Sequence, residues 1–136
     1  MIAATASHAV QPRPRVLIID DERPLRSLMR RFLDRQGWDV CEADSGEQGL
    51  AMIEECGGRL DAVIVDQNLP GLSGSGVCRR LTSQRPSLAG RLLLASGDAE
   101  SATIALALES LYCPVLAKPF DLLALDRALA SLVTAH

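Results

Sequence analysis

Five side chains in this sequence could do chemistry together: Asp20, Asp21, Asp66, Ser96 and Lys118. Each stands at the end of a short apolar run. Arg15-Val16-Leu17-Ile18-Ile19 climbs to Asp20-Asp21-Glu22, and Ala62-Val63-Ile64-Val65 climbs to Asp66 before breaking at Pro70-Gly71. Arg91-Leu92-Leu93-Leu94-Ala95 ends at Ser96, and Val115-Leu116-Ala117 ends at Lys118. Singly, each has an ordinary explanation: an Asp after a strand caps a helix, a Ser makes a turn, a Lys is solvated. The ordered set asks for more. If the strands lie parallel, the carboxylates converge, and at an effective dielectric near 20 two like charges ~4 Å apart cost about 4 kcal/mol. Such a cluster wants a hard divalent cation, and oxygen-only ligands with room for water suit Mg²⁺. With Mg²⁺ and the Lys118 ammonium in place, a phosphoryl group becomes a favourable ligand. Asp66 can then act as a carboxylate nucleophile on phosphorus.

The elements that must position these residues follow from the pattern. Runs of Val, Ile and Leu that are apolar on both faces read as central parallel strands. Pro24 suits the first turn of a helix, with Leu25, Leu28, Met29 and Phe32 as its buried stripe and Gly37 at its end. Arg23, Arg26, Arg30 and Arg31 fall mostly off that stripe, as a solvated face or a docking surface for an acidic partner. Trp38 to Ala43 is a second strand. Ser45 and Gln48 form a capping box opening a helix with Leu50 and Ile53 inward, ended by Gly57-Gly58. After Asp66 and the Pro70–Gly76 loop, a short helix turns Val77, Cys78 and Leu81 inward and stops before Pro86. An Ala-rich helix spans about Ala99 to Leu111. Asp121 caps a last helix with Leu122, Leu125, Leu129 and Leu132 inward. Strand and helix alternating with short connections predict an α/β fold, a parallel sheet covered on both sides.

Composition sets the bounds. The chain has 136 residues, enough for one domain with a modest core, and 48% hydrophobic content excludes a disordered tail. A net charge of −3 gives no call for nucleic acid. No apolar run is long enough to span a bilayer, and Met1 to Pro14 lacks the core of a signal peptide, so the expected setting is cytoplasmic. Residues 1–14 read as a flexible N-terminal tail and 15–134 as the folded domain. Cys41, Cys56, Cys78 and Cys113 are scattered without C-x-x-C spacing or a neighbouring His. They read as small buried hydrophobes, neither a disulfide framework nor a zinc site.

From Arg15 to Val133 the chain resembles the receiver domain of two-component signalling, the phospho-acceptor module of response regulators. The resemblance rests on Ile19-Asp20-Asp21-Glu22, on Asp66-Gln67-Asn68-Leu69-Pro70-Gly71 with Gly74 beyond, on Ala95-Ser96-Gly97, and on Ala117-Lys118-Pro119-Phe120. It implies a flavodoxin-like (βα)5 three-layer sandwich with strand order 2-1-3-4-5, for which a receiver is a known example. It implies phosphorylation of Asp66 by a phosphohistidine donor, a sensor histidine kinase or a histidine phosphotransfer protein. Mg²⁺ would be held directly by Asp21, Asp66 and the backbone carbonyl of Asn68, and by Asp20 through water. Ser96 would bind a phosphoryl oxygen, and Lys118 would pair with the phosphate. Receivers also suggest a cis peptide between Lys118 and Pro119, which turns the ammonium back over the rim while Phe120 enters the core.

The chain departs from the family pattern at Val115, where an aromatic residue usually stands and swings inward on activation. A Gly common before the last strand is also absent; Leu111 and Tyr112 lie there. Not all of Ile104, Leu106, Leu108, Leu111 and Tyr112 fit one buried stripe. Leu111 and Tyr112 either fill space before Pro114 or form, with the fourth helix and last strand, a contact face for a second copy or a partner. The stretch Pro114 to Phe120 also resembles receivers appended to hybrid histidine kinases, and no DNA-binding motif follows the last helix. Two other readings compete. A Mg²⁺-dependent aspartyl phosphohydrolase would need a general acid two residues after Asp66, where Asn68 stands. A flavin-binding flavodoxin would need a phosphate-cradling loop where Asp20-Asp21-Glu22-Arg23 stands.

Overall fold

The computed structural model describes residues 13–56, 59–98, 101–108 and 111–134. Five parallel strands form one sheet: β1 (Arg15–Ile19), β2 (Asp39–Ala43), β3 (Ala62–Asp66), β4 (Leu92–Ser96) and β5 (Val115–Ala117). Their order is β2-β1-β3-β4-β5, as the resemblance implies. The helices are α1 (Arg23–Arg35), α2 (Gly46–Cys56), α3 (Gly74–Gln84), α4 (Ala102–Ala107) and α5 (Leu122–Thr134), with a 3₁₀ turn at Pro86–Leu88.

The period-2 geometry of a strand divides the core into two layers. Leu17, Ile19, Val63, Val65, Leu92 and Leu94 face Ile53, Val77, Leu81, Ile104 and Leu108, so α2, α3 and α4 cover that side. Val16, Ile18, Ala62, Ile64 and Leu93 face Met29, Leu33, Leu125, Leu129 and Leu132, so α1 and α5 cover the other. The central strands β1, β3 and β4 are buried along almost their whole length, while the edge strands β2 and β5 are largely half-buried. A strand covered on both faces must be apolar at every position, which is why the motif-bearing strands read as continuous runs.

Several local expectations need correction. Leu28 is 48% exposed and Leu33 takes its place in the core. Met29 centres the buried stripe, and Leu28 stands about 100° round the helix from it. The α1 end is as expected: Gly37 has φ 98°, and the Trp38 N–H donates to the Leu33 carbonyl. At α2, Ser45 Oγ accepts from the Gln48 N–H at 3.1 Å, but Gln48 Oε1 reaches the Asp44 N–H rather than that of Ser45. Strand β4 is shifted by one residue from the Arg91–Ala95 expectation. The Arg91 N–H closes the preceding turn onto the Leu88 carbonyl, whereas Ser96 joins the ladder by accepting from the Lys118 N–H. Helix α4 is shorter than Ala99 to Leu111. Ser101 Oγ accepts from the N–H groups of Thr103 and Ile104 and starts the helix, and Leu108, at φ −95° and ψ 4°, has left it. Residues 99, 100, 109 and 110, like Gly57-Gly58 and most of the expected tail, lie outside the described residues. Arg13 and Pro14, at the edge of that tail, are tied to the body: Arg13 donates to the Gly37 and Trp38 carbonyls, and the Pro14 carbonyl accepts from the Asp39 N–H.

Candidate functional site

Parallel strands bring their carboxyl ends to one rim, and the register fixes what meets there. Ile19 pairs with Val65, so Asp20 and Asp66 extend from adjacent strands. Asp66 pairs with Ala95, and Ser96 with Ala117, which places Ser96 and Lys118 one step further across the sheet. The Gln67 N–H donates to the Ala95 carbonyl at 2.9 Å, and the Lys118 N–H to the Ser96 carbonyl at 2.8 Å, so backbone bonds lock the strand ends laterally.

The side chains converge as the sequence implies. One carboxylate oxygen from each of Asp20, Asp21 and Asp66 lies within 4.8 Å of the others. Asp20 and Asp66 are each only 2% exposed, whereas Asp21 is exposed beside a cleft of about 560 Å³ that Arg26 and Glu42 also line. Lys118 Nζ stands 3.0 Å from Asp66 Oδ1 and 3.8 Å from Asp20 Oδ2. The Lys118–Pro119 bond is cis, as expected, and Phe120 packs against the α1/α5 side of the core. Ser96 is 1% exposed, and its Oγ accepts from the Asp98 N–H at 3.0 Å, leaving the hydroxyl hydrogen free to donate elsewhere. Asn68 is exposed, two residues beyond Asp66 and outside the carboxylate cluster.

Electrostatics mark the rim as crowded. Burial pushes the Asp20 carboxyl up from 3.8 to about 6, and the charges of Asp66 and Glu22 add to this. The Glu22 N–H, donating to Asp20 Oδ1 at 2.8 Å, and the Lys118 ammonium work against it. Burial pulls the Lys118 ammonium down, but hydrogen bonds to Glu22 and Asp66 and the charges of Asp20 and Asp66 outweigh it and hold it above its ordinary value. One ammonium faces several carboxylates, all the donors are oxygen, and one of the acids holds its proton to about pH 6. That donor set fits a hard divalent cation such as Mg²⁺.

Three neighbours matter whose contacts sequence reasoning did not find, among them Arg26, which was expected on a solvated or docking face but whose side chain is only 14% exposed. Glu22, 60% exposed, accepts from Lys118 Nζ at 3.0 Å and competes with Asp66 for it. Its presence in the motif was legible, but the pairing spans 96 residues and was not. Arg26 Nη1 donates to the Asp20 carbonyl at 2.6 Å while its Nε holds Glu42 at 2.9 Å, which clamps the loop after β1. Gly74 lies against the backbone of Asp66: a Cβ there would sit 2.2 Å from the Asp66 carbonyl oxygen. The Gly74 N–H also donates to the Gln67 carbonyl at 3.0 Å, and the Ser75 N–H to Gln67 Oε1 at 2.7 Å, so the start of α3 is bound to the loop after the candidate nucleophile.

Comparison with known proteins agrees with this geometry. The family model of the response regulator receiver domain matches residues 16–130. The response regulator MprA of Mycolicibacterium vanbaalenii is 38% identical over 118 residues, covering 85% of this chain and 49% of that protein. The virulence sensor protein BvgS of Bordetella pertussis is 44% identical over 81 residues, 58% of this chain and 6% of that protein. The chain therefore spans at most about half the length of these two relatives. Among solved structures, a response regulator receiver domain protein from Clostridium thermocellum superposes with a TM-score of 0.77 at 27% identity, covering 90% of this chain and 95% of that one. The chemotaxis protein CheY4 of Vibrio cholerae shares the fold with a TM-score of 0.80 at 23% identity, over 89% of this chain and 99% of that one. Among the described residues, no helix is long and apolar enough to cross a membrane. With a family model covering most of its length and a sheet whose acids gather at one rim, the chain belongs to the receiver domains of two-component response regulators.

Proposed function

We propose that Asp66 accepts a phosphoryl group from a phosphohistidine on a sensor histidine kinase or histidine phosphotransfer protein. The observation that carries this reading is the Asp66 carboxylate itself, buried at the end of the central strand, clustered with Asp20 and Asp21 and touched by the Lys118 ammonium. A carboxylate oxygen of Asp66 attacks phosphorus, and the P–N bond breaks with its electron pair returning to the imidazole. Lys118 leaves Asp66 Oδ1 to pair with a phosphoryl oxygen, and Ser96 donates its hydroxyl hydrogen to another. Mg²⁺, when bound, supplies charge neutralisation for the transferring group. Asp21, Asp66 and the Asn68 carbonyl would hold it directly, and Asp20 through water. Asn68 carries no acid, so the chain is read as a switch whose only catalysis is its own phosphorylation and dephosphorylation.

Output is read through α4 and β5. Ile104 and Leu108 fill the core, while Leu106 and Tyr112 stand 70% and 67% exposed. Val115 is half-buried and offers no ring to relocate, so the response runs through movement of the Ser96 loop and α4. The apolar face suits a second copy of the chain in the cytoplasm.

Acetyl phosphate with Mg²⁺ should add one phosphoryl group by intact mass, and Asp66→Asn should add none. Equal labelling of the Asn variant would overturn the assignment. Light scattering with and without beryllofluoride tests the self-association: a dimer strengthened by the phosphate mimic and lost in Tyr112→Asp supports it, and an unchanged monomer sinks it.

A further inference from the structure

Cys78 and Cys113 stand 35 residues apart with no spacing that links them, yet the fold brings them into contact. Cys78 lies on the inner face of α3 with no exposed surface, and Cys113 is half-buried in the segment leading into β5. Their Sγ atoms are 3.9 Å apart. A disulfide needs about 2.05 Å, so the two sulfurs must close on each other from van der Waals contact. Both are free thiols. From this juxtaposition we propose that Cys78 and Cys113 are a modification site, a thiol pair oxidised reversibly to a disulfide by a hydroperoxide and restored by a dithiol.

The two thiols are unequal in the way such chemistry needs. The side-chain contact with Cys78 lowers the Cys113 thiol below its ordinary value against the effect of burial, with the Leu94 N–H helping, while the same contact and burial push Cys78 up. Cys113 also has the solvent access that Cys78 lacks. Cys113 thiolate attacks the peroxide, the O–O bond breaks, and Cys113 becomes a sulfenic acid while an alkoxide or hydroxide leaves and takes up a proton. Cys78 then attacks the sulfenyl sulfur, losing its proton, and the hydroxyl departs as water. Two electrons have passed from the thiol pair to the peroxide. Reduction by a dithiol returns them through thiol–disulfide exchange.

The bond would join the two ends of the segment that carries β4, Ser96 and α4. Arg79 Nη1 already donates to the Ala107 carbonyl at 2.9 Å across α3 and α4, so the bridge reinforces an existing contact. Oxidation is expected to slow amide exchange in residues 101–108.

The test uses the full reduced chain exposed to a small excess of hydrogen peroxide. The expected product has lost two hydrogens by intact mass, gives a Cys78–Cys113 linked peptide in a non-reducing map, and reverts with dithiothreitol. Cys78→Ser should leave a sulfenic acid on Cys113 that dimedone traps, and Cys113→Ser should give neither product. A map showing no linked peptide, a link to Cys41 or Cys56, or only intermolecular bridges overturns the proposal. The wild-type map decides even if a variant fails to fold.

Discussion

The two ends of the sheet treat charge in opposite ways. At the amino-terminal end every acid named here faces a guanidinium: Asp34 meets Arg13, Asp39 meets Arg15, and Asp61 meets both Arg59 and Arg91. Asp61 also accepts from the Arg15 N–H at 2.8 Å and so ties β1 to the start of β3. At the carboxyl end Asp20, Glu22 and Asp66 share one lysine with Asp21 clustered beside them, and burial pushes the Asp20 carboxyl up to about 6. One rim is neutralised by its own side chains. The other is left in deficit of positive charge, which a cation or a change of protonation must supply. The crowding is local to the rim where Asp20, Asp21 and Asp66 cluster.

The largest break of this contrast is steric. Gly74→Ala places a methyl group against the Asp66 carbonyl at 2.2 Å, where the contact is backbone and cannot rotate away. Either α3 or the end of β3 must move, at a cost of about 3 kcal/mol, toward the upper end of overpacking in a dense interior. Chemical denaturation should show the loss, and labelling by acetyl phosphate should fall with it because Asp66 moves. Wild-type stability and labelling in the Ala variant would mean that Gly74 does not set the position of Asp66.

The next effect sharpens the electrostatic half. Asp20 titrates near 6 in the folded chain and near 3.8 when free. As pH rises from about 4 to about 6, the unfolded state loses this proton first, so the native state binds more protons and stability from this group falls across that window. Above about 6 the penalty is constant, on the order of 3 kcal/mol in the metal-free protein. Asp20→Asn keeps an acceptor for the Glu22 N–H and removes the charge. It should raise the metal-free melting temperature at pH 7.5 and flatten the pH dependence between 4 and 6. Added Mg²⁺ should stabilise the wild type more than the variant. An Asn variant less stable than wild type in the absence of metal would show that Asp20 is not held under strain.

How far the sequence disclosed this contrast differs by residue. Asp20, Asp66, Ser96 and Lys118 were legible because a strand buried on both faces is a continuous apolar run, and the first polar residue after it must stand on the rim. The parallel sheet was legible from the alternation of elements, and the strand order only through the family resemblance. The role of Glu22, the clamp made by Arg26 and the approach of Gly74 to Asp66 were not, because each depends on a distance across the tertiary fold that no local period encodes. The same holds for Cys78 and Cys113. Leu28 was misplaced because an apolar residue on a helix flank is indistinguishable from one in the stripe until the packing partner is known. The pairing of acids and arginines at the amino-terminal rim left no sequence signal at all, since Asp61 joins partners from three separate segments.

The smallest effect lies at that quiet end, and its smallness is the claim. Asp39 and Arg15 are 50% and 36% exposed, so water screens their 3.1 Å contact and both side chains give up freedom to hold it. Asp39→Asn should cost at most about 0.5 kcal/mol, and less in 0.5 M salt. Asp61 is 17% exposed and serves two guanidinium groups and a backbone N–H, so Asp61→Asn should cost more, about 1–2 kcal/mol, with little relief from salt. Urea titration of both variants at two ionic strengths separates the cases. Equal losses at the two positions, both erased by salt, would mean that the amino-terminal rim is held by screened surface charge throughout. A larger, salt-resistant loss at Asp61 would place the anchoring of β1 and β3 in one half-buried carboxylate, at the opposite end of the same two strands that carry Asp20 and Asp66.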